Sequence, residues 1–241
     1  MATSLSRLRG VVHPAIKRLQ SLSPLEPAAI AALEMALGSA QRFPARRELF
    51  SEGRPIGSAL LVLEGWAARV RQLPDGRRQL ISFGLPGDIL GFYQLEEALA
   101  STTVAALTSV TVCPLPDGTH IPTLAQAYAV SRALDEAYLM AQVTRIGRLN
   151  AHERIIDLLL EFYERLSMSG LAADGRYHIA LTQEAISDAL GLTSVHINRT
   201  LQSMRAAGEL TWTGREVVLH DPISLASTVG HVPARVCARV G

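Results

Sequence analysis

Ser194, Val195, His196, Asn198 and Arg199 crowd one short stretch of chain and bring together a hydroxyl, a methyl-bearing side chain, an imidazole, an amide and a guanidinium. Those are the groups that read base edges in a DNA major groove: Arg donates to guanine O6 and N7, Asn and His donate or accept, and Val can touch a thymine methyl. Glu209 is the single carboxylate between Thr193 and Arg215, against Arg199, Arg205 and Arg215. The local field therefore favours phosphate.

The flanking residues predict how that stretch is held. Thr182 is a good N-cap, with Glu184 in the first turn where free N–H groups favour a carboxylate. Ile186, Ala189 and Leu190 make one apolar face, and Gly191 supplies the left-handed residue that stops the helix. Thr193 caps a second helix in which Ile197, Leu201 and Met204 point inward, leaving Ser194, His196, Asn198 and Arg199 outward. After Gly208, residues 210–213 and 216–219 around Gly214-Arg215 predict a two-stranded wing able to lie along a phosphate backbone. The predicted DNA-binding set is Thr182, Gln183, Thr193, Ser194, Val195, His196, Asn198, Arg199, Arg205 and Arg215. A solvated helical hairpin is the plainer alternative. The scarcity of acid and the wing that follows at once favour DNA.

Around this module, 241 residues with 48% hydrophobic and 19% charged content predict a soluble chain with room for two domains. The net charge of +1, and eight Arg against ten acids in residues 151–241, mean that attraction to phosphate must come from local placement. Cys113 and Cys237 are too few for a disulfide framework or for a zinc or iron–sulfur ligand set, so no metal and no cofactor is expected and a reducing cytoplasm is the expected setting. Arg7, Arg9, Lys17 and Arg18 interrupt the N-terminal region without an apolar run of signal-peptide length. Residues 98–116 lack charge, but their Ser and Thr content and Pro114 predict a buried β-hairpin and no membrane span.

Organisation follows from periodicity. Residues 1–24 read as a polar extension with a short helix near 14–19, followed by a helix over 26–37. Apolar runs at 60–63, 66–70, 79–83, 104–107 and 110–112 are divided by turn residues, which predicts an antiparallel barrel or jelly roll over 25–122. Residues 123–150 switch to a helical period: Val130, Leu134, Ala137, Ala141 and Thr144 form a heptad-like seam, with Leu139, Val143 and Ile146 on a second line. Two apolar lines on one helix predict a homodimer, with the first line as its seam. A helix over residues 151–166 carries Ile155, Leu158, Leu159, Phe162 and Leu166 on one stripe and opens the DNA-binding domain at 151–222; residues 223–241 form a tail. The fold class is α+β.

A glycine-punctuated β-roll, a long helix and a terminal winged helix-turn-helix resemble the CRP/FNR family of bacterial transcription regulators over about residues 20–222. Glu64-Gly65, Leu73-Pro74-Asp75-Gly76, Gly87-Asp88-Ile89-Leu90-Gly91-Phe92 and the run from Gly191 to Arg199 carry the likeness. It implies a cyclic-nucleotide-binding-like domain, a symmetric dimer on a palindromic operator, an effector acting through the long helix, and RNA polymerase as a candidate further partner. Its effector pocket maps here to Gly87, Asp88, Ser101, Thr102 and Thr103.

Two departures bear on mechanism. Relatives that bind cyclic AMP clamp its phosphate with an Arg, whereas no Arg or Lys occurs from Gln79 to Ser131 here. A buried phosphate without a charge-assisted donor is weakly held, so cyclic AMP and cyclic GMP are expected to bind poorly or not at all. In the reading helix, Val195 stands where relatives that read the common half-site carry Glu, which implies a different operator. No His lies between His13 and His120, which disfavours a haem or a catalytic metal in the β domain. The competing readings are a cyclic-nucleotide-responsive regulator with a non-standard phosphate pocket, a metal-dependent β-roll enzyme, and an adaptor that does not bind DNA. The chain is read as a regulator and not an enzyme, with an unidentified small-molecule effector.

Overall fold

The computed structural model describes residues 12–92 and 95–237. In the N-terminal half, β1 (Gln41–Phe43), β2 (Glu48–Phe50), β3 (Leu60–Glu64), β4 (Ala67–Gln72), β5 (Arg78–Gly84), β6 (Ile89–Leu90), β7 (Thr103–Ala106) and β8 (Val110–Pro114) form two antiparallel sheets, ordered β1-β8-β3-β6 and β2-β7-β4-β5. Val62, Leu90, Val110 and Val112 of the first sheet pack with Ala67, Val104 and Ala106 of the second. This is a β-roll. The expected hairpin over 98–116 is corrected: β7 and β8 follow one another in sequence but lie in different sheets. Both strands bury side chains between the sheets, so the chain crosses the roll at Leu107–Ser109 and does not fold back on itself.

The helix starting at Pro14 runs further than expected, as α1 (Pro14–Leu22), and it is not part of a merely polar extension. Ala15, Ile16 and Leu19 are buried with Leu61 and Leu63 of β3, along with Ala29 and Leu33 of α2 (Pro27–Leu37). Gly87 has φ +94° and faces Arg18, so that any Cβ there would collide with the Arg18 side chain. Residues 1–11 of the predicted extension lie outside the described residues.

After the roll come α3 (Pro122–Arg148) and α4 (Ala151–Met168), joined through Asn150, which caps α4 in a reciprocal capping box with Glu153. The stripe Ile155, Leu158, Leu159, Phe162 and Leu166 is wholly buried, and Trp66 and Phe83 of the β-roll meet Phe162 edge-on at 4.9 Å between centroids. The boundary expected at residue 151 therefore does not separate two cores: one apolar cluster runs from Trp66, Phe83 and Leu85 through α4 into the C-terminal module.

The C-terminal sheet is ordered β11-β12-β10-β9, from β9 (Ala172–Ala173), β10 (Arg176–His178), β11 (Leu210–Thr213) and β12 (Glu216–Leu219). It flanks α5 (Gln183–Leu190), α6 (Ser194–Ala206) and α7 (Pro222–Val229). No helix among the described residues is long and apolar enough to cross a membrane.

The seam on α3 needs correction. Val130 and Leu134 are buried within the chain, packed with Tyr138, Leu22 and the tail residues Ala234 and Val236, while Ala137 and Ala141 are half-buried and Thr144 is exposed. The tail occupies this line because residues 231–237 fold back along α3. It is the second line that stays open, with Val143 66% exposed and the adjacent Met140 62% exposed.

Candidate nucleic-acid interface

The module is built by caps and one left-handed residue. Thr182 Oγ1 accepts from the Ala185 N–H at 3.1 Å, and α5 ends at Gly191 with φ +64°. Thr193 Oγ1 accepts from the His196 N–H at 3.2 Å and starts α6, whose Ile197, Leu201 and Met204 are fully buried. Ser187 and Ser194 hydroxyls approach to 3.4 Å where the two helices meet. With the apolar face turned in, Ser194, Val195, Asn198 and Arg199 share an exposed outer face, Val195 being 79% exposed; His196 is half-buried at its edge. An apolar side chain that open to water is covered by no other part of the chain among the described residues.

The remaining predicted residues frame that face. Thr182 is exposed and Gln183 half-buried at the start of α5, and Thr193 is exposed at the start of α6. Arg215 is exposed at the turn between β11 and β12, which pair as Leu210↔Leu219 through Thr213↔Glu216. Trp212 Nε1 donates to the Gly214 carbonyl at 3.3 Å, and Arg205 donates to the Trp212 carbonyl at 3.4 Å, so Arg205 braces the wing from α6. Sequence reasoning missed β9 and β10, strands of two and three residues. Their signal was the alternation in Arg176-Tyr177-His178, in which Tyr177 alone is buried and donates to the Leu159 carbonyl at 2.9 Å.

The residues expected to line an effector pocket are not brought together. Asp88 is 3% exposed and bonded to Arg18 and Arg165, and it accepts from the Leu85 N–H at 2.7 Å. Gly87 packs on α1. These two join the β-roll to α1 and α4 because an ionised carboxylate can be buried only with its charge matched. Ser101 is exposed and Thr102 half-buried, while Thr103, in β7 of the β2-β7-β4-β5 sheet, accepts from the Glu52 N–H at 3.3 Å. One cavity between the roll and α3, about 240 Å³, is lined instead by Arg69, Phe92, Tyr128, Ser131, Arg132 and Asp135. Arg69 lies earlier in the chain than the Lys- and Arg-free stretch. It is already engaged, donating to Asp135 at 2.8 Å and to Ser82 at 2.9 Å. Burial pushes the Asp135 carboxyl up from its ordinary range, against the pull of Arg69.

No sequence signal announced the ionic network beneath the module. Arg145 of α3 donates to Asp157 and to Glu161 of α4, each at 2.7 Å. Arg165 donates to Glu161 at 2.8 Å, and its guanidinium lies 4.5 Å from the Tyr138 ring centroid. His231 of the tail contacts Asp157 at 2.6 Å and Glu164 at 3.1 Å. Burial alone would lower the His231 pKa, but the two carboxylates outweigh it and raise it from 6.5 to about 9. Cys113 is buried and its thiol pushed up to about 11, which makes it a core residue and not a nucleophile. Among the described residues, no group of His, Cys, Asp and Glu has a metal-binding arrangement.

Comparison with known proteins converges on this architecture. Residues 40–125 match the model of a cyclic nucleotide-binding domain and residues 153–228 that of a Crp-like helix-turn-helix domain. Over 206 residues the chain is 29% identical to the nitrogen fixation regulation protein FixK of Bradyrhizobium diazoefficiens, covering 83% of this chain and 81% of that protein. It is 25% identical over 191 residues to the transcriptional activator protein anr of Pseudomonas aeruginosa, covering 76% and 77%. Among solved structures, FixK2 from Bradyrhizobium japonicum superposes with a TM-score of 0.69 at 24% identity, over 81% of this chain and 98% of that one. The relatives are transcription regulators and not enzymes, and both domain models match in the order that the fold displays. The chain belongs to the CRP/FNR family and is a DNA-binding transcription regulator.

Proposed function

We propose that the protein acts as a homodimer on a palindromic operator, each protomer laying α6 in a major groove. Ser194, Val195, His196, Asn198 and Arg199 read base edges, while Thr182, Gln183, Thr193, Arg205 and Arg215 hold the flanking backbone or brace the elements that do. The carrying observation is the reading face, polar apart from Val195 and free of acid, displayed on a helix whose other side is fully buried. The dimer rests on Leu139, Met140, Val143 and Ile146 of α3, because the first apolar line is covered by the chain's own tail. Two copies joined along α3 would present two reading helices related by a twofold axis, which matches an inverted repeat.

The effector is a molecule other than cyclic AMP or cyclic GMP. Two guanidiniums line that cavity: Arg69 is paired with Asp135 and Arg132 of α3 is exposed, so a cyclic phosphate would have to break the ion pair to use Arg69, and at Arg132 it would meet a donor that stays in water and is worth little. Selection of bound sites from a random duplex pool tests the reading. Enrichment of an inverted repeat by a species that sediments as a dimer supports it; enrichment of a single half-site by a monomer overturns it.

A further inference from the structure

The first helix of the DNA-reading module is gripped by the β-roll of its own chain. Arg78, at the start of β5, donates through Nε to Asp188 on α5 at 2.5 Å, and its Nη2 lies 3.9 Å from Glu184 one turn earlier. Beside it, Gln79 Nε2 donates to the Ala189 carbonyl at 2.9 Å, and Gln142 Nε2 from α3 donates to the same carbonyl at 2.7 Å. Arg154 of α4 donates to the Leu190 carbonyl at 3.0 Å. Donors from three separate elements thus satisfy the last carbonyls of α5, the negative end of its dipole, which an isolated helix leaves to water. α5 is in turn locked to α6 through Ile186, Ala189 and Leu190 in the shared core and through the Ser187–Ser194 contact. The direction in which α6 points therefore depends on β5.

We infer that Arg78 is a positioning residue for DNA recognition: its bond to Asp188 fixes α5, and with it the reading helix, against the β-roll of the same protomer. The grip leaves the outer face of α6 open, since Ser194, Val195, Asn198 and Arg199 all remain exposed. It holds an arrangement in which DNA can be read, and so it raises affinity by removing orientations that would otherwise have to be given up on binding. Release of Arg78 frees the module without altering any side chain on the reading face. This inference rests on α6 being the reading helix.

The test is a double-mutant cycle of Arg78→Ala and Asp188→Ala in the full-length protein. The probes are a duplex recovered by selection from a random pool and a scrambled duplex of equal length. Each single substitution should weaken binding to the selected duplex about three- to tenfold, as expected for a modest coupling between sites. The double variant should be no weaker than either single, and the swapped variant Arg78→Glu with Asp188→Arg should recover most of the loss. Binding to the scrambled duplex should change far less. The competing explanation, direct contact between Arg78 and phosphate, predicts opposite signs: loss of Arg78 weakens binding to both duplexes and loss of Asp188 strengthens it. That pattern, or full additivity, or no recovery on swapping, overturns the inference. If the wild type itself shows no preference for the selected duplex, the reading of α6 fails first, and the two failures are told apart by that control.

Discussion

Arg165 and Asp88 form an ion pair that ties the DNA-binding half to the β-roll, and the same Arg165 nitrogen donates to the Phe83 carbonyl at 2.7 Å. Both side chains are nearly devoid of solvent contact, and Arg18 approaches Asp88 from α1. Among the described residues Arg18 Nη1 and Arg165 Nε have no hydrogen-bond partner, and Asp88 is the carboxylate that both guanidiniums share, Arg165 pairing with Glu161 as well. Asp88→Ala should cost about 3–5 kcal/mol, the range for removing one member of a buried pair. Urea unfolding followed by circular dichroism measures it, and a loss below about 1 kcal/mol would show that the Arg165 charge finds other compensation.

On the reading face, Arg199→Ala should weaken binding to the selected operator by about 1–3 kcal/mol and relax preference at the base pair it contacts, whereas Arg215→Ala should weaken all duplexes alike and flatten the salt dependence. Fluorescence anisotropy on matched and mismatched duplexes separates the two. Equal losses on every duplex for both variants would mean that neither reads sequence.

Along α3, a charge on the open apolar line should split the dimer while leaving the protomer folded. Val143→Asp places a carboxylate where the side chain is 66% exposed in the single chain. Sedimentation velocity should find a monomer at micromolar concentration and an unchanged thermal transition of the isolated protomer. The same substitution at Leu134, which is 5% exposed, should instead unfold the chain, because its neighbours are the tail and α1.

The tail contributes a pH-dependent component of stability. The His231 pKa is raised in the folded protein to about 9, so the contribution is complete below the ordinary value of 6.5 and is lost as pH rises through about 9. Wild type should exceed His231→Ala in urea midpoint at pH 6, and the gap should narrow by pH 10. A gap that widened with pH would mean that the imidazole is held neutral between Asp157 and Glu164.

Calorimetry with cyclic AMP should find no micromolar binding. The Arg69–Asp135 pair supplies a further check: Asp135→Asn frees the guanidinium and should improve phosphate affinity.

The helix-turn-helix module is legible along the chain, because each of its devices is local. Thr182 and Thr193 cap within three residues, Gly191 stops α5 by its own backbone freedom, and Ile197, Leu201 and Met204 define a buried face by spacing alone. The β-roll strands were legible from turn residues, but which sheet each joins was not, since pairing is decided by partners such as Leu61↔Cys113 that lie far apart in the chain. The role of Asp88 came from packing: a motif placed it in a pocket, and the fold sets it against Arg165, 77 residues away. Packing also decided which apolar line of α3 faces outward, through a tail whose sequence gave no sign of folding back. Charge pairing and burial depend on what arrives from elsewhere in the chain, and periodicity along one helix cannot reveal which of two faces another segment will cover.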